Sequence, residues 1–232
     1  MPDHREIYRR QASDYEFMVS REDYQGNLPR ALRQIRSFDG LDVVELGAGT
    51  GRLSGMLAPF ASWILVSDIS AHMLAVARAK LERTGPRNWA VTAADNRALP
   101  VAGGAADLAI AGWSLGYCTE WYPASWRKEI GRALAEMKRV LRPGGTVVIL
   151  ETLGTGSQEP CPPSDALGAY YAWLEEEQGF SSTWIRTDYR FESLSEAKET
   201  MRFFFGDAFA ERIGRENWVI LPECTGIWWL SV

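Results

Sequence analysis

Residues 43–58, with the sequence VVELGAGTGRLSGMLA, place three glycines within five positions, between an apolar run and a helix-like segment. Gly47, Gly49 and Gly51 carry no Cβ atom, so a ligand can approach the backbone amides and the turn can adopt positive φ angles. The helix predicted to begin near Arg52 directs its positive dipole end to the same place. The pattern predicts an anion-binding turn that joins a buried strand to a helix.

Short apolar runs alternate with helical segments through the middle of the chain. The runs LDVVEL, WILVSD, WAVTAAD, ADLAIAG and GTVVILE are each long enough for a strand and too short for a helix. Between them lie predicted helices at residues 52–60, 71–83 and 126–141, and Ser70 is the predicted N-cap of the second. This alternation implies right-handed crossovers, and therefore an α/β sheet covered by helices on both faces.

Two regions flank this core. Residues 5–36 carry apolar side chains at spacings that suit amphipathic helices laid over the sheet. Residues 153–164 are rich in Gly, Pro, Ser and Thr and predict a loop. The remaining elements are predicted as a helix at 165–178, a strand at 182–191, a helix at 194–213 and a final strand at 225–232.

The composition restricts the partners of the chain. Its 232 residues carry a formal net charge of -5, which disfavours nucleic acid and anionic lipid, since both require basic patches. No apolar run is long enough to span a bilayer and no apolar signal core follows the first Met, so we expect a cytoplasmic protein. The three cysteines lie far apart without a histidine cluster, which predicts free thiols and no metal site. A small molecule is the expected partner.

Two acidic residues end the strands that follow the glycine turn. Asp68 lies at about the separation from the turn at which an acid binds ribose hydroxyls in nucleotide-binding sheets. Asp95 is placed to accept from an adenine amino group, with Ile69 and Met73 packed on the ring, although an acid here can equally be a helix cap. A dinucleotide fingerprint requires glycine at the position of Arg52. An adenosine-containing ligand is therefore expected, and a nicotinamide cofactor is disfavoured.

The segments ELGAGTGRLSGMLA, SDISAHMLAVARAK, AADNRALP and RVLRPGGTVVIL resemble, in order and spacing, the motifs of class I S-adenosylmethionine-dependent methyltransferases. IYRRQASDYEF resembles the helical lid of the family's small-molecule branch. The resemblance implies a Rossmann-like three-layer sandwich. Its seven-stranded, mostly parallel sheet would have the order 3-2-1-4-5-7-6 with the last strand antiparallel, an N-terminal lid and a C-terminal cap insertion. It implies one domain over 1–232, with a lid at 1–36, a cofactor-binding core at 37–152 and a substrate cap that completes the sheet at 153–232.

The resemblance also implies the residues that bind S-adenosylmethionine. Glu45 and the glycine loop would hold the methionine end, Asp68 the ribose, and Asp95 with Asn96 the adenine. A buried Glu45 needs a compensating donor or cation, which the ammonium of the cofactor or the loop amides would supply. The full predicted set is Tyr15, Glu45, Gly47, Ala48, Gly49, Gly51, Asp68, Ile69, Met73, Asp95, Asn96, Ala111, Gly112 and Trp113, of which the last three border the sulfonium.

Aromatic residues are concentrated in the second half of the chain, where eight of the ten Trp follow residue 110. Core packing is the simpler explanation for any single one of them. The substrate pocket is predicted at loop residues beside the sulfonium, namely Trp113, Tyr117 and Trp121. The residues predicted to close a lid over the same cleft are Tyr8, Tyr15 and Tyr24.

The expected activity is methyl transfer to a small molecule by direct displacement in a capped cleft, which requires alignment and desolvation more than a catalytic triad. Glu120, Asp188 and Glu223 are possible bases by position, and no catalytic residue is assigned. The segment at 112–115 is Gly-Trp-Ser-Leu and not the Asn-Pro-Pro-Tyr type of nucleic-acid amino methylases. The alternative is a cofactor-binding regulatory protein without turnover.

Overall fold

The computed structural model describes residues 4–232, so the first three residues of the predicted lid lie outside the described residues. Three helices precede the core, as the apolar spacing predicts. The helices are α1 (His4–Arg10), α2 (Ala12–Ser20), α3 (Asn27–Ile35), α4 (Arg52–Leu57), α5 (Ala71–Thr84), α6 (Tyr117–Trp121), α7 (Trp126–Val140), α8 (Asp165–Glu176), α9 (Leu194–Phe205) and α10 (Asp207–Glu216). The strands are β1 (Asp42–Leu46), β2 (Trp63–Asp68), β3 (Trp89–Ala93), β4 (Ala106–Gly112), β5 (Leu141–Thr155), β6 (Ser181–Arg186), β7 (Tyr189–Arg190), β8 (Ile220–Leu221) and β9 (Glu223–Ser231).

Seven of these strands form one sheet in the order β3-β2-β1-β4-β5-β9-β6. Strands β1 to β5 pair in parallel, and β9 pairs antiparallel with both β5 and β6. The short pair β7-β8 stands apart, so the order counted within the main sheet is 3-2-1-4-5-7-6 with the last strand antiparallel. The predicted topology is confirmed.

Each face of the sheet carries its own apolar core, because successive side chains of a strand point to opposite faces. Val44 and Leu46 of β1 pack in one cluster with α7 residues such as Leu134. Val43 packs in the other with Leu53 of α4. Helices therefore cover both faces, which confirms the three-layer sandwich.

A third apolar cluster joins the start of the chain to its last third. Ile7 of α1 and Met18 of α2 pack with Met201 of α9, Ile213 of α10 and Phe191. Helices α9 and α10 lie in the segment inserted between β7 and β8, before the antiparallel strand β9. Helices α1 and α2 thus form one layer with this insertion, whereas α3 packs with Val43 and Leu53 in the second cluster of the sheet.

Several predicted boundaries are wrong, each for a local reason. The helix predicted at 194–213 breaks at Gly206, which has φ 85° and separates α9 from α10. The strand predicted at 182–191 ends at Arg186, because Asp188 accepts hydrogen bonds from Arg186 Nε and from the backbone N–H of Glu223. Strand β5 runs to Thr155, two residues beyond the start of the predicted loop at Leu153.

Other helix and strand ends shift by a few residues. The helix predicted at 52–60 ends at Leu57, and β3 ends at Ala93, two residues before Asp95. The helix predicted at 126–141 ends at Val140, because β5 already begins at Leu141. Within residues 4–232 no helix is both long and apolar enough to cross a membrane.

Candidate active site

The glycine turn after β1 has the backbone geometry that the sequence predicts. Gly47, Gly49 and Gly51 have φ angles of 60°, 55° and 75°, which place all three in the left-handed region. A Cβ atom at Gly47 would lie only 2.5 Å from Cβ of Ser114, in the loop after β4. Ala48 is buried, and its backbone N–H donates to Ser67 at the end of β2. The turn therefore lies between the ends of β2 and β4, and only glycine fits at Gly47.

Asp68, predicted for the ribose, joins the turn to the end of β2. Its Oδ2 accepts the backbone N–H of Gly49 at 2.8 Å, and its Oδ1 accepts the N–H of Ser70 at 2.7 Å. Burial raises the pKa of Asp68, against the lowering effect of these backbone donors. Of the two residues predicted to pack on the adenine, Ile69 is 73% exposed at the rim, whereas Met73 is buried in the first turn of α5.

Glu45 is 2% exposed, and its side-chain hydrogen bond within the chain is made to α4 and not to the glycine loop. Its Oε2 accepts a hydrogen bond from the Ser54 hydroxyl of α4, and neither a loop amide nor a cation binds it directly in the described structure. Burial raises the pKa of Glu45 to about 8, although Ser54 and Lys80 lower it. A protonated carboxyl group held by a serine therefore satisfies this position at neutral pH.

Asp95 and Asn96, predicted for the adenine, have different surroundings. Both carboxylate oxygens of Asp95 accept from Arg97, which also pairs with Glu129 at 2.6 Å. These bonds to Arg97 lower the pKa of Asp95. Asn96 faces the glycine turn, with its Nδ2 atom 3.2 Å from the position of a Cβ at Gly47. The structure thus brings Asn96 to the loop and gives Asp95 a local partner.

Of the three residues predicted to border the sulfonium, Ala111 and Gly112 are the last residues of β4, and Trp113 follows directly. Ala111 is buried, and a Cβ at Gly112 would lie 2.8 Å from Leu53 of α4. Trp113 adopts a left-handed φ of 48°, which is rare for a bulky residue. The Arg52 guanidinium lies over this ring at 4.4 Å from the centroid.

Tyr117 and Trp121 belong to a group of aromatic side chains that also includes Tyr8 and Tyr15 of the predicted lid. Their rings stack in α6 at 5.1 Å, and the hydroxyl of Tyr8 in α1 donates to the hydroxyl of Tyr117. Tyr15 of α2 contacts Tyr8 edge to face, and its ring lies 3.8 Å from the position of a Cβ at Gly49. The Tyr15 ring therefore lies beside the glycine turn, and Tyr8 packs against it. Tyr24, the third predicted lid residue, is exposed.

Polar contacts connect α1 and α2, the helices of the predicted lid, to the core. The Ser70 hydroxyl donates to the backbone carbonyl of Tyr8 at 2.8 Å, and Lys80 of α5 pairs with Glu16 of α2. Arg52 pairs with Glu22, just after α2, at 2.6 Å. Sequence reasoning missed Glu22, which no motif marks, and considered Arg52 only as a departure from the dinucleotide fingerprint.

The three positions considered as possible bases differ in burial. Glu120 is exposed, and Asp188 is already bound by Arg186 and by the backbone of Glu223. Glu223, the first residue of β9, is 2% exposed, and the Thr152 hydroxyl donates to its Oε1 at 2.8 Å. Because β9 is antiparallel to β5, Glu223 lies at the same sheet edge as the glycine turn.

The chain is similar in sequence to known methyltransferases. The methyltransferase domain family model matches residues 43–145. The demethylmenaquinone methyltransferase of Lactococcus lactis is 29% identical over 154 residues, which cover 63% of this chain and 57% of that protein. The ubiquinone/menaquinone biosynthesis C-methyltransferase UbiE of Coxiella burnetii is 34% identical over 125 residues, which cover 52% of this chain and 46% of that protein. The chain spans about half the length of these curated relatives.

The fold recurs in solved structures. A SAM-dependent methyltransferase from Aquifex aeolicus superposes with a TM-score of 0.53 at 14% identity, over 88% of this chain and 89% of that one. At such low identity the similarity shows the fold alone. The matched domain and the curated relatives are those of methyltransferases, and the sheet has the order that the resemblance to the class I S-adenosylmethionine-dependent methyltransferases implies.

Proposed function

We propose that the protein transfers the methyl group of S-adenosylmethionine to a small-molecule acceptor, at the carboxyl ends of β1, β2 and β4 and beneath the helical lid. The observation that carries this proposal is the bare left-handed turn at Gly47–Gly51 with Asp68 bound to it. Three strand ends meet there, which is where open α/β sheets bind nucleotide ligands.

The residues present fit the cofactor. Gly47 and Gly49 give the turn the left-handed backbone that a close-lying ligand requires, while Ser114 occupies the side of Gly47 on which a Cβ would lie. Asp68 offers a buried carboxylate for hydroxyl groups, and its two backbone donors fix the orientation of that carboxylate. Asn96 would contribute a side-chain amide near the same turn. When bound, S-adenosylmethionine supplies an activated methyl group on a sulfonium, so that the chain need not generate a nucleophile of its own.

The lid residues would exclude water from the reaction. Tyr8 and Tyr15 are half-buried, and burial raises the pKa of each hydroxyl. Neutral hydroxyls and aromatic faces beside the glycine turn provide a dry surface that suits a cationic sulfonium. Trp113, Tyr117 and Trp121 would line the acceptor side, as predicted. A small acceptor agrees with the names of both quinone-related relatives and with the net charge of -5.

Calorimetric titration of the full chain with S-adenosylmethionine and S-adenosylhomocysteine tests cofactor binding. Asp68→Asn weakens a charged hydrogen-bond acceptor, so we expect a loss of about 1.5–3 kcal/mol in binding, or roughly 10- to 100-fold in affinity. Asp207→Asn is the matched control, because Asp207 is 85% exposed and lies in the cap. Equal affinity for wild type and Asp68→Asn would contradict the proposed site.

The regulatory alternative shares this crevice but predicts no turnover. A panel of phenols, amines, thiols and carbon acids, incubated with labelled S-adenosylmethionine, separates the two functions. Transfer of label to any member supports the enzyme, whereas cofactor binding with an intact lid and no transfer to any class favours the regulatory protein.

A further inference from the structure

A group of buried polar residues lies under the lid, on the Trp113 side of the glycine turn. We call Glu22, Arg52, Tyr189 and Glu223 the Glu223 cluster. The side chains of Glu22 and Arg52 are only 5% and 11% exposed, and Glu223 is 2% exposed. Tyr189 is fully buried and interacts with both carboxyl groups and with the guanidinium. The cluster brings together the end of α2, the start of α4, β7 and β9.

Three atoms of this cluster lack a hydrogen-bond partner within the described part of the chain. They are Glu22 Oε1, Arg52 Nη2 and Glu223 Oε2, and all are shielded from solvent. A buried polar atom without a partner costs about 1–3 kcal/mol, so folded proteins leave few of them. Two of these atoms, Glu22 Oε1 and Glu223 Oε2, are acceptors, which indicates that a ligand with hydrogen-bond donors completes them, whereas Arg52 Nη2 is a donor.

The charges of the cluster indicate what kind of ligand it is. Arg52 and Glu22 neutralise each other at 2.6 Å, while no salt bridge reaches Glu223 within residues 4–232. Burial raises the pKa of Glu223 to about 8, and the nearby Glu22 carboxylate raises it further, against the hydroxyls of Thr155 and Thr152 and the charge of Arg52. The other titratable groups that interact with Glu223, none of them cationic, are Tyr171, Tyr189 and Cys224. Glu223 therefore lacks a positively charged donor.

The cluster lies beside the predicted position of the reacting sulfur. Arg52 covers the Trp113 ring, and Trp113 immediately follows β4. Glu223 pairs in register with Thr155 at the carboxyl end of β5, the next strand of the sheet. Glu22 and Arg52 also line a groove between α2 and α4.

We propose that the Glu223 cluster binds the ammonium group of an amine acceptor, with the Glu223 carboxylate as its counter-ion and Trp113 as a neighbouring aromatic surface. The inference rests on the proposed function and specifies its acceptor class. Binding of R–NH3+ ionises the Glu223 carboxyl group, whose proton passes to solvent. Within the complex, one proton then moves from the nitrogen to Glu223 Oε2, which leaves a neutral amine with a free lone pair and a neutral acid.

Calorimetry with a matched pair of probes tests this inference. Benzylamine and benzyl alcohol share a ring and differ in the ammonium group, and each is titrated at pH 7 into the full chain saturated with S-adenosylhomocysteine. We expect benzylamine to bind at least about tenfold more tightly than benzyl alcohol, since only the amine completes an ion pair. Titrations in phosphate and in Tris, which differ in ionisation enthalpy, should show release of about one proton per amine bound.

Glu223→Gln keeps the shape of the side chain and a hydrogen-bonding group for Thr152, and it removes the charge. We expect this variant to lose both the preference for the amine and the proton release. Glu151→Gln is the matched control, because Glu151 is also a buried carboxyl group whose pKa burial raises to about 8, on the opposite face of β5. Glu151→Gln should retain both properties, and unchanged affinity for S-adenosylhomocysteine shows that each variant is folded.

Equal affinities for the two probes, or proton release that persists in Glu223→Gln, would overturn the inference. Failure of S-adenosylhomocysteine to bind would instead count against the proposed function. The same benzylamine titration without S-adenosylhomocysteine then tests the cluster alone, so the two failures are distinguishable.

Discussion

The glycine turn and the Glu223 cluster lie at the same edge of the sheet but are assembled in different ways. At the turn, Asp68 binds the backbone of Gly49, which is 19 residues away, and both of its oxygens have partners. In the cluster, contacts join residues 30 and 71 positions apart, and three buried atoms have no partner. Among the described residues, the hydroxyls of Thr50 and Ser114 at the turn also lack a partner, but the unpartnered atoms of the cluster belong to ionisable side chains. The comparison suggests a cofactor site with a fixed backbone beside an acceptor site whose ionisable groups are completed by a ligand.

The largest expected effect tests whether the buried ion pair of Glu22 and Arg52 stabilises the folded protein at the Glu223 cluster. Glu22→Ala leaves Arg52 buried without its counter-ion, which typically costs about 3–5 kcal/mol of the free energy of unfolding. Chemical denaturation measures this loss. Glu177→Ala is the control, since Glu177 is 57% exposed and pairs with Arg127 at 3.5 Å, so its removal should cost less than about 1 kcal/mol. Similar losses in both variants would remove the special role of the pair.

The second effect concerns the glycine turn. Gly47→Ala places a Cβ atom 2.5 Å from Cβ of Ser114 in a residue with a φ of 60°, so overpacking adds to backbone strain. We expect a loss of roughly 2–4 kcal/mol in the free energy of unfolding, together with weaker binding of S-adenosylmethionine.

Gly40→Ala isolates the conformational part of this loss. Gly40 has a φ of 71° with no atom within 4 Å of the added Cβ, so only strain of about 1–2 kcal/mol is expected. If the two variants lose the same stability, contact with Ser114 does not restrict the turn.

The last prediction compares the two regions by how the free energy of unfolding depends on pH. Burial raises the pKa values of Glu45 at the turn and Glu223 in the cluster to about 8, and it does the same to Glu151. A pKa that is higher in the folded than in the unfolded protein gives stability that is present below about pH 4.5 and is lost as the pH rises towards 8. Each group contributes a slope of up to about 1.4 kcal/mol per pH unit in this window.

Denaturation at pH 5.5, 6.5 and 7.5 measures this slope. Glu151→Gln should make this slope shallower by the contribution of one carboxyl group, which is up to about 1.4 kcal/mol per pH unit. Glu223→Gln should have the same effect. The acids whose pKa is lowered, such as Asp95 and Glu136, are fully ionised throughout this range and do not affect the comparison. An unchanged slope in both variants would show that neither carboxyl group is protonated in the folded protein.

The same contrast explains how much of the molecule could be predicted from its sequence. Gly47, Gly49 and Asp68 lie in two short contiguous motifs, and the parallel strands around them follow from apolar runs that local spacing reveals. The topology and the position of the turn were therefore predictable. The pairing of Glu22 with Arg52 was not, because it depends on how the lid docks, and neither residue belongs to a periodic pattern.

The cap was predicted less well for a similar reason. The break between α9 and α10 depends on the left-handed conformation of Gly206, which an otherwise helical pattern conceals. The partner of Asp95 is Arg97, only two residues away, and this local pairing competes with the predicted role toward adenine. Glu223 was recognised as a possible base by position alone. Its burial follows from the antiparallel placement of β9.

Arg52 directly follows the glycine turn as the first residue of α4, and it also pairs with the chain that leaves α2. Because Arg52 connects α4 to the end of α2, its ion pair affects how fast ligands exchange. Any swing of α2 that admits or releases ligands must first separate a shielded pair of opposite charges. Exchange at the crevice then requires this ion pair to break together with the other contacts of α2, so ligand residence times should shorten when Arg52 is replaced by an uncharged side chain.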